Sequence, residues 1–341
     1  MKTLFVGEYS GNTGPANVNR SLIENWPRDD EVLHIESSSK LGQILEGFAK
    51  GVRCDVVLFT NNSMVDVTLH SIFRRLQKTC VCFNHGYAPM ENDINRGSVP
   101  KRRMEAIKHH MLTSDALVAN SELQMNLLRD QLGQCRGLLT YVNLGVDRFA
   151  QMSVYRNNRR PVVAVSGGTR LIKANEVVVQ AIALLKERGI DCVLRVYGRG
   201  YAPNDDLAEA FASGDAVFMG QVPPKEFVEQ LGEVDVFVMN SRHESFGLSA
   251  IDAIHAGCSL LLSRNCGVGG VLALEEGDVV LDCENAREVA DKIERLLSNP
   301  NSERLYRSLN FDDLSWERTA GRLREVCVTA FSRNVDYGQL N

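Results

Sequence analysis

The sequence predicts an α/β protein built as two doubly wound domains, each a mostly parallel sheet with helices on both faces. Three observations predict it. Short β-branched runs alternate with longer amphipathic stretches, the pattern of a parallel sheet covered on both sides. The alternation breaks once, in a polar and basic stretch ending in proline (148–161), and then restarts. The 341 residues, 44% hydrophobic and 24% charged, give enough chain for two cores.

In the first half, strands are expected at 3–9, 31–36, 55–60, 79–85, 116–120 and 137–143. Helical patterns lie between several of them. In SELQMNLLRDQLG (121–133), Ser121 has the place of an N-cap and Gly133 that of a C-terminal stop. In the second half, strands are expected at 162–168, 191–198, 216–221, 235–241, 259–264 and 279–282. Helices are expected near 175–188, 224–233, 247–257 and 286–297. The domains are thus 1–150 and 160–314. A last amphipathic stretch, 315–331, has no strand after it and is a candidate to pack back on the first domain. Two such domains facing each other leave a central cleft at the carboxyl ends of both sheets, where open α/β sheets bind ligands.

Composition narrows the function. A net charge of −5 argues against generic nucleic-acid binding. No stretch approaches the roughly 20 apolar residues that span a bilayer. The opening MKTLFVGEYSGNTG reads as a first strand, not a signal peptide, so a cytoplasmic protein is expected. The nine cysteines are scattered singly apart from Cys80 and Cys82, which alternate at strand spacing. None has zinc spacing, and buried, reduced thiols are expected.

HESFGLSAIDAIHAG (243–257) carries the chemistry. A loop after the strand at 235–241 leads into a helix that ends at Gly257. Phe246 and Gly247 then stand at a helix N-terminus, whose free N–H groups and dipole favour a phosphate. Glycine at 247 lets the backbone approach closely. Glu244 and Asp252 are eight positions apart. Eight helical steps return to within about 80° of the start, so both acids can face one ligand at its two ends. Two solvated charges are the other reading, made less economical by the apolar helix around Asp252.

These residues resemble the E-x7-E signature of retaining glycosyltransferases of the GT-B architecture, specifically glycosyltransferase family 4. The resemblance runs from about residue 4 to 297. NLGVDRF (143–149) is similar to the N-G-V-D-x-x-x-F segment that closes the family's first domain, and VANSE (118–122) to its strand-to-helix step. Residues 217–247 match the run leading into the signature. The resemblance implies that Glu244 contacts a donor sugar and Asp252 the ribose hydroxyls. Phe246, Gly247 and Leu248 would offer backbone N–H groups to a diphosphate. SGGTRLIK (166–173) resembles the family's G-R-x-n-K segment, so Arg170 and Lys173 would neutralise the departing diphosphate, as fixed cations do for charge that builds in a transition state. A solvated basic face is the alternative.

His85, at the end of an apolar strand, stands where the family carries a histidine facing the donor sugar. Gly11 and Gly14 resemble the Gly-rich loop after the first strand, with Pro15 suited to a first helical turn. Asn120 and Ser121 are similar to acceptor-side positions, with helix capping as the other role of Ser121. Departures from the family pattern are Asp252 for Glu, Ser259 for a frequent Pro, Ala273 for a frequent Glu, and a short Arg170–Lys173 spacing. They bear on donor identity more than on reaction class.

The resemblance implies transfer of a sugar with retention from a nucleotide-diphosphate sugar; a UDP-linked hexose or N-acetylhexosamine is expected in preference to a GDP-linked one. The acceptor would be a glycan or a lipid-linked glycan. No Asp-x-Asp pair is present, so no metal and no cofactor are expected beyond the donor itself. RRLQK (74–78) and KRRMEAIKHH (101–110) are basic and lie in the first domain. They could rest on anionic lipid at the inner membrane face, or be solvated helix faces. Two rival functions stay open: a non-catalytic partner subunit that keeps the fold, and a nucleotide-sugar epimerase.

Overall fold

The computed structural model describes residues 1–11, 13–147, 160–200 and 205–339. The linker expected at 148–161 lies outside the described residues except for its last two, as do Arg148 and Phe149 of the NLGVDRF segment. The chain forms two compact units, Met1–Asp147 with Phe311–Asn341, and Arg148–Asn310.

The first unit runs β1 (Lys2–Val6), α1 (Gly14–Glu24), β2 (Glu31–His34), α2 (Lys40–Gly51), β3 (Val56–Phe59), α3 (Met64–Arg75), β4 (Thr79–Asn84), α4 (Ala88–Ile94), α5 (Lys101–Thr113), β5 (Ala116–Ala119), α6 (Glu122–Leu132) and β6 (Leu138–Tyr141). All neighbours in its sheet are parallel, in the order 2-1-3-4-5-6. Every residue of β3, β4 and β5 is buried, which is why VVLF, TCVCFN and ALVA read as continuous apolar runs rather than alternating ones. Val6, Phe59, Cys82 and Leu117 lie in one row across the sheet and pack under α3, α5 and α6.

The second unit runs β7 (Val162–Ser166), α7 (Asn175–Glu187), β8 (Val193–Tyr197), α8 (Asp205–Ser213), β9 (Ala216–Gly220), α9 (Pro224–Leu231), β10 (Val236–Met239), α10 (Leu248–His255), β11 (Ser259–Ser263), β12 (Val279–Val280), α11 (Ala286–Ser298) and α12 (Ser302–Ser308). Its parallel sheet has the order 12-11-10-7-8-9. Counted from β7 this is 6-5-4-1-2-3, the order of dinucleotide-binding sheets, and its winding reverses between β7 and β10. A long helix, α13 (Trp316–Gln339), returns to the first unit and packs on β3, β4 and β5 beside α1. Gly145 makes room for its first side chain, since a Cβ there would fall 2.4 Å from the Trp316 ring.

The basic stretch at 74–78 is largely internal, and the one at 101–110 is exposed at its start. Arg74 places one guanidinium nitrogen 2.7 Å from both carboxylate oxygens of Asp115, and the Lys78 ammonium donates to the Cys54 carbonyl at 2.9 Å. Only Arg75 of the cations at 74–78 is exposed. In α5, Lys101, Arg102 and Arg103 are exposed, but His110 is buried. No helix among the described residues is long and apolar enough to cross a membrane. All nine cysteines are free, and all but Cys135 are buried.

His110 stands edge-on to His70, with ring centroids 4.4 Å apart, and both pack on Phe59. Neither ring nitrogen of His110 has a hydrogen-bond partner among the described residues. Burial pushes His110 down to about 4, aided by the charge of His109. Burial pushes His70 down to about 2, aided by His110, Arg74 and His109. The unfolded chain therefore binds more protons than the folded one below about pH 6.5. Stability is full above that pH and falls as pH drops through it toward 4. Asp66, pushed up to about 6 by burial, opposes this over part of the range, while His85 and His243, both pushed down to about 4, add to it. Thermal unfolding followed from pH 7 to 4.5 should show a falling midpoint. His110→Phe, which keeps the ring contacts, should flatten the slope by about 1.4 kcal/mol per pH unit. An unchanged slope would mean that His110 is not held neutral.

Candidate functional site

The reversal of winding between β7 and β10 sends their following loops in opposite directions and leaves a crevice at the strands' carboxyl ends. The loop after β7 carries Arg170 and Lys173, and the loop after β10 carries Glu244. The two loops meet: the Lys173 ammonium is ion-paired with Glu244 Oε2, with both side chains mostly buried at 15% and 17% exposure.

Glycines make this meeting possible. Gly167 has φ +92°, and a Cβ there would lie 2.5 Å from Lys173 Cγ, so the lysine stem passes over bare backbone. Gly198, after β8, crosses the same loop so closely that a Cβ would fall 2.4 Å from the Gly168 nitrogen. Asn175 fixes the loop from below, donating to the Gly168 carbonyl at 2.7 Å and to Ser166 at 3.2 Å. Residues 171–173 form one 3-10 turn, closed by Ala174 in the left-handed region at φ 49°. Arg170 stands exposed at the head of that turn.

Arg242 ties the two loops together. Its backbone N–H donates to the Ile172 carbonyl at 2.8 Å and its guanidinium to the Leu171 carbonyl. The same guanidinium pairs with Glu176, in the first turn of α7, at 2.7 Å and with Glu284 at 2.6 Å. One side chain thus holds the Lys173 turn against the Glu244 strand end. Sequence reasoning passed over Arg242 because its partners lie 66 and 42 positions away from it.

Glu244 is extended backbone, not helix. It bridges to Cys266, accepting from Gly267 N–H and donating to the Asn265 carbonyl, both at 2.9 Å. Gly247 follows in the left-handed region at φ 108° and is the N-cap of α10. A Cβ at 247 would meet Met239 Sδ at 2.7 Å and Glu244 Cγ at 3.1 Å, so both conformation and space require glycine. The eight helical steps counted from Glu244 to Asp252 therefore do not apply: the path between them turns at Gly247. Asp252 sits half-buried a full turn into α10. The Phe246 ring is core, 1% exposed, so only its backbone is available to a ligand. The N–H groups of Gly247 and Leu248 open the helix, where no preceding turn supplies acceptors. Ser249 Oγ lies 3.1 Å from Ser166 Oγ and fastens α10 to the end of β7. His243, 8% exposed, is pushed down to about 4, mainly by burial and further by Lys173, with Glu244 opposing.

The carboxyl edge of the first sheet is made differently. Gly11 has φ 134°, and Arg20 of α1 donates to its carbonyl at 2.8 Å and to that of Tyr9 at 2.7 Å. Gly14 is the first residue of α1 with open space around it, so nothing there requires glycine; the turn between it and Gly11 includes Asn12, outside the described residues. His85 follows β4, with Nε2 3.3 Å from Asn19 Oδ1, and burial pushes it down to about 4. Asn19 also holds the Glu8 carbonyl at 2.7 Å, so one buried amide joins the first loop to His85. Asn84 accepts from Gly86 N–H at 3.0 Å and from Gln124 at 3.1 Å, joining β4 to α6. Ser121 caps α6 through the Gln124 N–H at 3.1 Å, and Asn120 is buried beside it. Asn19 and Asn84 were not singled out from sequence. The one available signal was a polar residue inside an apolar run, as in CFNH.

Comparison with known proteins agrees with this architecture. Residues 148–309 match the family described as Glycosyl transferases group 1. A D-inositol 3-phosphate glycosyltransferase of Corynebacterium urealyticum is 31% identical over 179 residues, 48% of this chain and 42% of that protein. One of Rhodococcus jostii is 27% identical over 282 residues, 74% of this chain and 62% of that protein. The chain thus spans less than two thirds of the length of these relatives. Among solved structures, sucrose-phosphate synthase from Thermosynechococcus elongatus superposes with a TM-score of 0.75 at 15% identity, covering 97% of this chain and 99% of that one. HepE of Anabaena in complex with UDP-glucose superposes with a TM-score of 0.65 at 13% identity, covering all of both chains. The chain has the two Rossmann-like domains of the GT-B fold, and its second half, residues 148–309, is similar to the group 1 glycosyl transferases.

Proposed function

We propose that the protein is a retaining glycosyltransferase that moves a hexose or N-acetylhexosamine from a nucleotide-diphosphate sugar, UDP-linked, to a glycan or lipid-linked acceptor. The Lys173–Glu244 pair at the winding reversal, beside the open N-terminus of α10, carries this reading. It is a fixed cation and a fixed anion next to backbone donors, in the crevice where such sheets bind nucleotides. The group 1 family match and the relatives named as glycosyltransferases support it.

In this reading the diphosphate lies on the Gly247 and Leu248 N–H groups, with Arg170 and Lys173 over its oxygens. Asp252 accepts from the ribose and Glu244 from the sugar. The bond from the anomeric carbon to the diphosphate breaks, and the acceptor hydroxyl oxygen bonds to that carbon on the same face. Its proton passes to a diphosphate oxygen. The charge that builds on the leaving group is met by cations already in place, which is where preorganised electrostatics lower a barrier. No metal is needed for that step. His85, Gly11, Asn120 and Ser121 would serve donor sugar and acceptor from the first unit, and the reaction would belong to polysaccharide or glycoconjugate assembly.

Thermal unfolding with UDP, GDP and their sugars, in the presence of chelator, tests the donor. A ligand at 100 times its Kd adds about 2.7 kcal/mol to the native state. A shift with UDP-sugars that is lost in Arg170→Ala is expected, and activity abolished by chelator and restored by manganese would overturn the metal-free mechanism. With a competent acceptor, either a glycan or a polyol phosphate of the kind named for the relatives, the product should keep the donor's anomeric configuration. A sugar altered without any acceptor would point to an epimerase.

The ion pair can be tested separately from turnover. Lys173→Met and Glu244→Gln should each cost about 1–3 kcal/mol, because each leaves a mostly buried charge alone. The double variant should recover part of that, a coupling of more than about 0.5 kcal/mol. Turnover should stay lost in all three. Recovered activity in the double variant would remove both residues from the chemistry. Arg242→Met should lower turnover roughly 100-fold while unit 2 still unfolds cooperatively, since misplacing the Lys173 turn by about 1 Å is enough for that loss.

A further inference from the structure

The helix α2 is built inside out. Its inner face carries Ile44, packed on the core, and two glycines: a Cβ at Gly47 would lie 2.7 Å from Leu69 Cδ1, and one at Gly51 would lie 2.2 Å from Phe73 Cζ. Its outer face is apolar. Leu41 is 68% exposed, Leu45 62%, Phe48 42% and the C-cap Val52 37%. At 100° per residue these four fall within about 60° of arc, one stripe along the full length of the helix. Phe48 stacks on the buried Phe73, with ring centroids 6.5 Å apart, but packing of the unit does not account for Leu41, Leu45 and Val52, because an amphipathic helix of a globular unit turns such a stripe inward.

The exposed charges at the two ends of the stripe are cations, and the exposed Glu36 lies to one side, 3.9 Å from the Lys50 ammonium. Lys40 at its start and Arg53 at its end are exposed. The one acid in α2, Glu46, is taken up by the Lys50 ammonium at 2.6 Å and by the Glu36 and Ser37 N–H groups at 3.0 and 2.8 Å, which push it down to about 2. Lys78 reaches the Cys54 carbonyl, so the end of α3 lies beside the end of α2, and there it exposes Arg75 and a 49%-exposed Leu76.

We infer that α2 is the face by which the first unit lies on an anionic lipid surface, its apolar stripe entering the acyl boundary and Lys40, Arg53 and Arg75 meeting the headgroups. An apolar stripe one helix wide between exposed cations is the form of an interfacial helix. It is too narrow for a stable pairing of two copies, which needs about 800 Å2 from each partner. This inference stands on exposure and charge and does not depend on the transferase reading. It also moves the membrane contact from the basic stretch at 74–78, whose Arg74 and Lys78 face inward, to a helix that sequence reading left unassigned.

The test is co-sedimentation of the full chain with vesicles of phosphatidylcholine alone or with about a third phosphatidylglycerol. Binding is expected only to the anionic vesicles, and it should weaken about tenfold or more in Leu41→Gln/Leu45→Gln. Lys40→Glu/Arg53→Glu should also weaken it and reduce its dependence on salt. Both pairs are on exposed positions, and an unchanged unfolding midpoint shows that the unit is intact. No binding to anionic vesicles, or equal binding by the leucine variant, would overturn the inference. A dimer in sedimentation velocity that the leucine variant abolishes would assign the stripe to a second copy instead.

Discussion

The Lys173–Glu244 ion pair is the contact on which the candidate site depends, and it exists only because two loops more than seventy positions apart are forced together. A reversal of winding between β7 and β10 brings the two strands side by side while sending their loops apart. For the loops to touch nonetheless, one must fold back over the strand ends. The 3-10 turn at 171–173 does so. It needs bare backbone under the lysine stem, which Gly167 supplies, and bare backbone where the β8 loop crosses, which Gly168 and Gly198 supply. It also needs an anchor, because a turn closed by a left-handed alanine is not a low-energy segment by itself. Arg242 is that anchor, with two carboxylates and a carbonyl on one guanidinium. Sheet order, glycine placement and one half-buried arginine are therefore successive conditions for a single ion pair.

This dependence explains what could be read from the sequence. Strand and helix order was legible because every element of a doubly wound sheet is long-run apolar or amphipathic, and both properties are local. Ser121 and Gly133 were legible as helix ends for the same reason, and the structure has them at those places. Glu244, Gly247 and the helix after them were legible as a group. Their geometry was not: counting helical steps from Glu244 assumed one continuous helix, and the left-handed Gly247 ends that assumption. Arg242, Asn19 and Asn84 were missed because what marks them is a partner far along the chain. The basic stretch at 74–78 was over-read because charge is visible in a sequence and pairing is not; Asp115 neutralises Arg74 from forty-one residues away. In α2 the signal was inverted. Two inward glycines leave the larger apolar side chains Leu41 and Leu45 on the exposed side of the helix, and the sequence reading left this helix unassigned.

The two units differ in the chemistry of their carboxyl edges, and the difference bears on which substrate each would take. In the first unit Asn19, Asn84, Asn120 and Gln124 are buried amides and burial pushes His85 down to about 4, while the carboxylates of Glu8 and Glu91 stand beside Gly11 and Gly86. Arg20, beside the first loop, is engaged by loop carbonyls. In the second unit Arg170 and Arg199 are exposed at strand ends, with Lys173 beside them and a helix N-terminus opening onto the same crevice. Neutral amides exchange hydrogen bonds with hydroxyls in both directions, donating and accepting, at little cost in desolvation. Fixed cations and helix dipoles suit an anion and lose their advantage with a neutral ligand. In the proposed reading, a hydroxyl-rich acceptor would suit the first unit and a diphosphate the second.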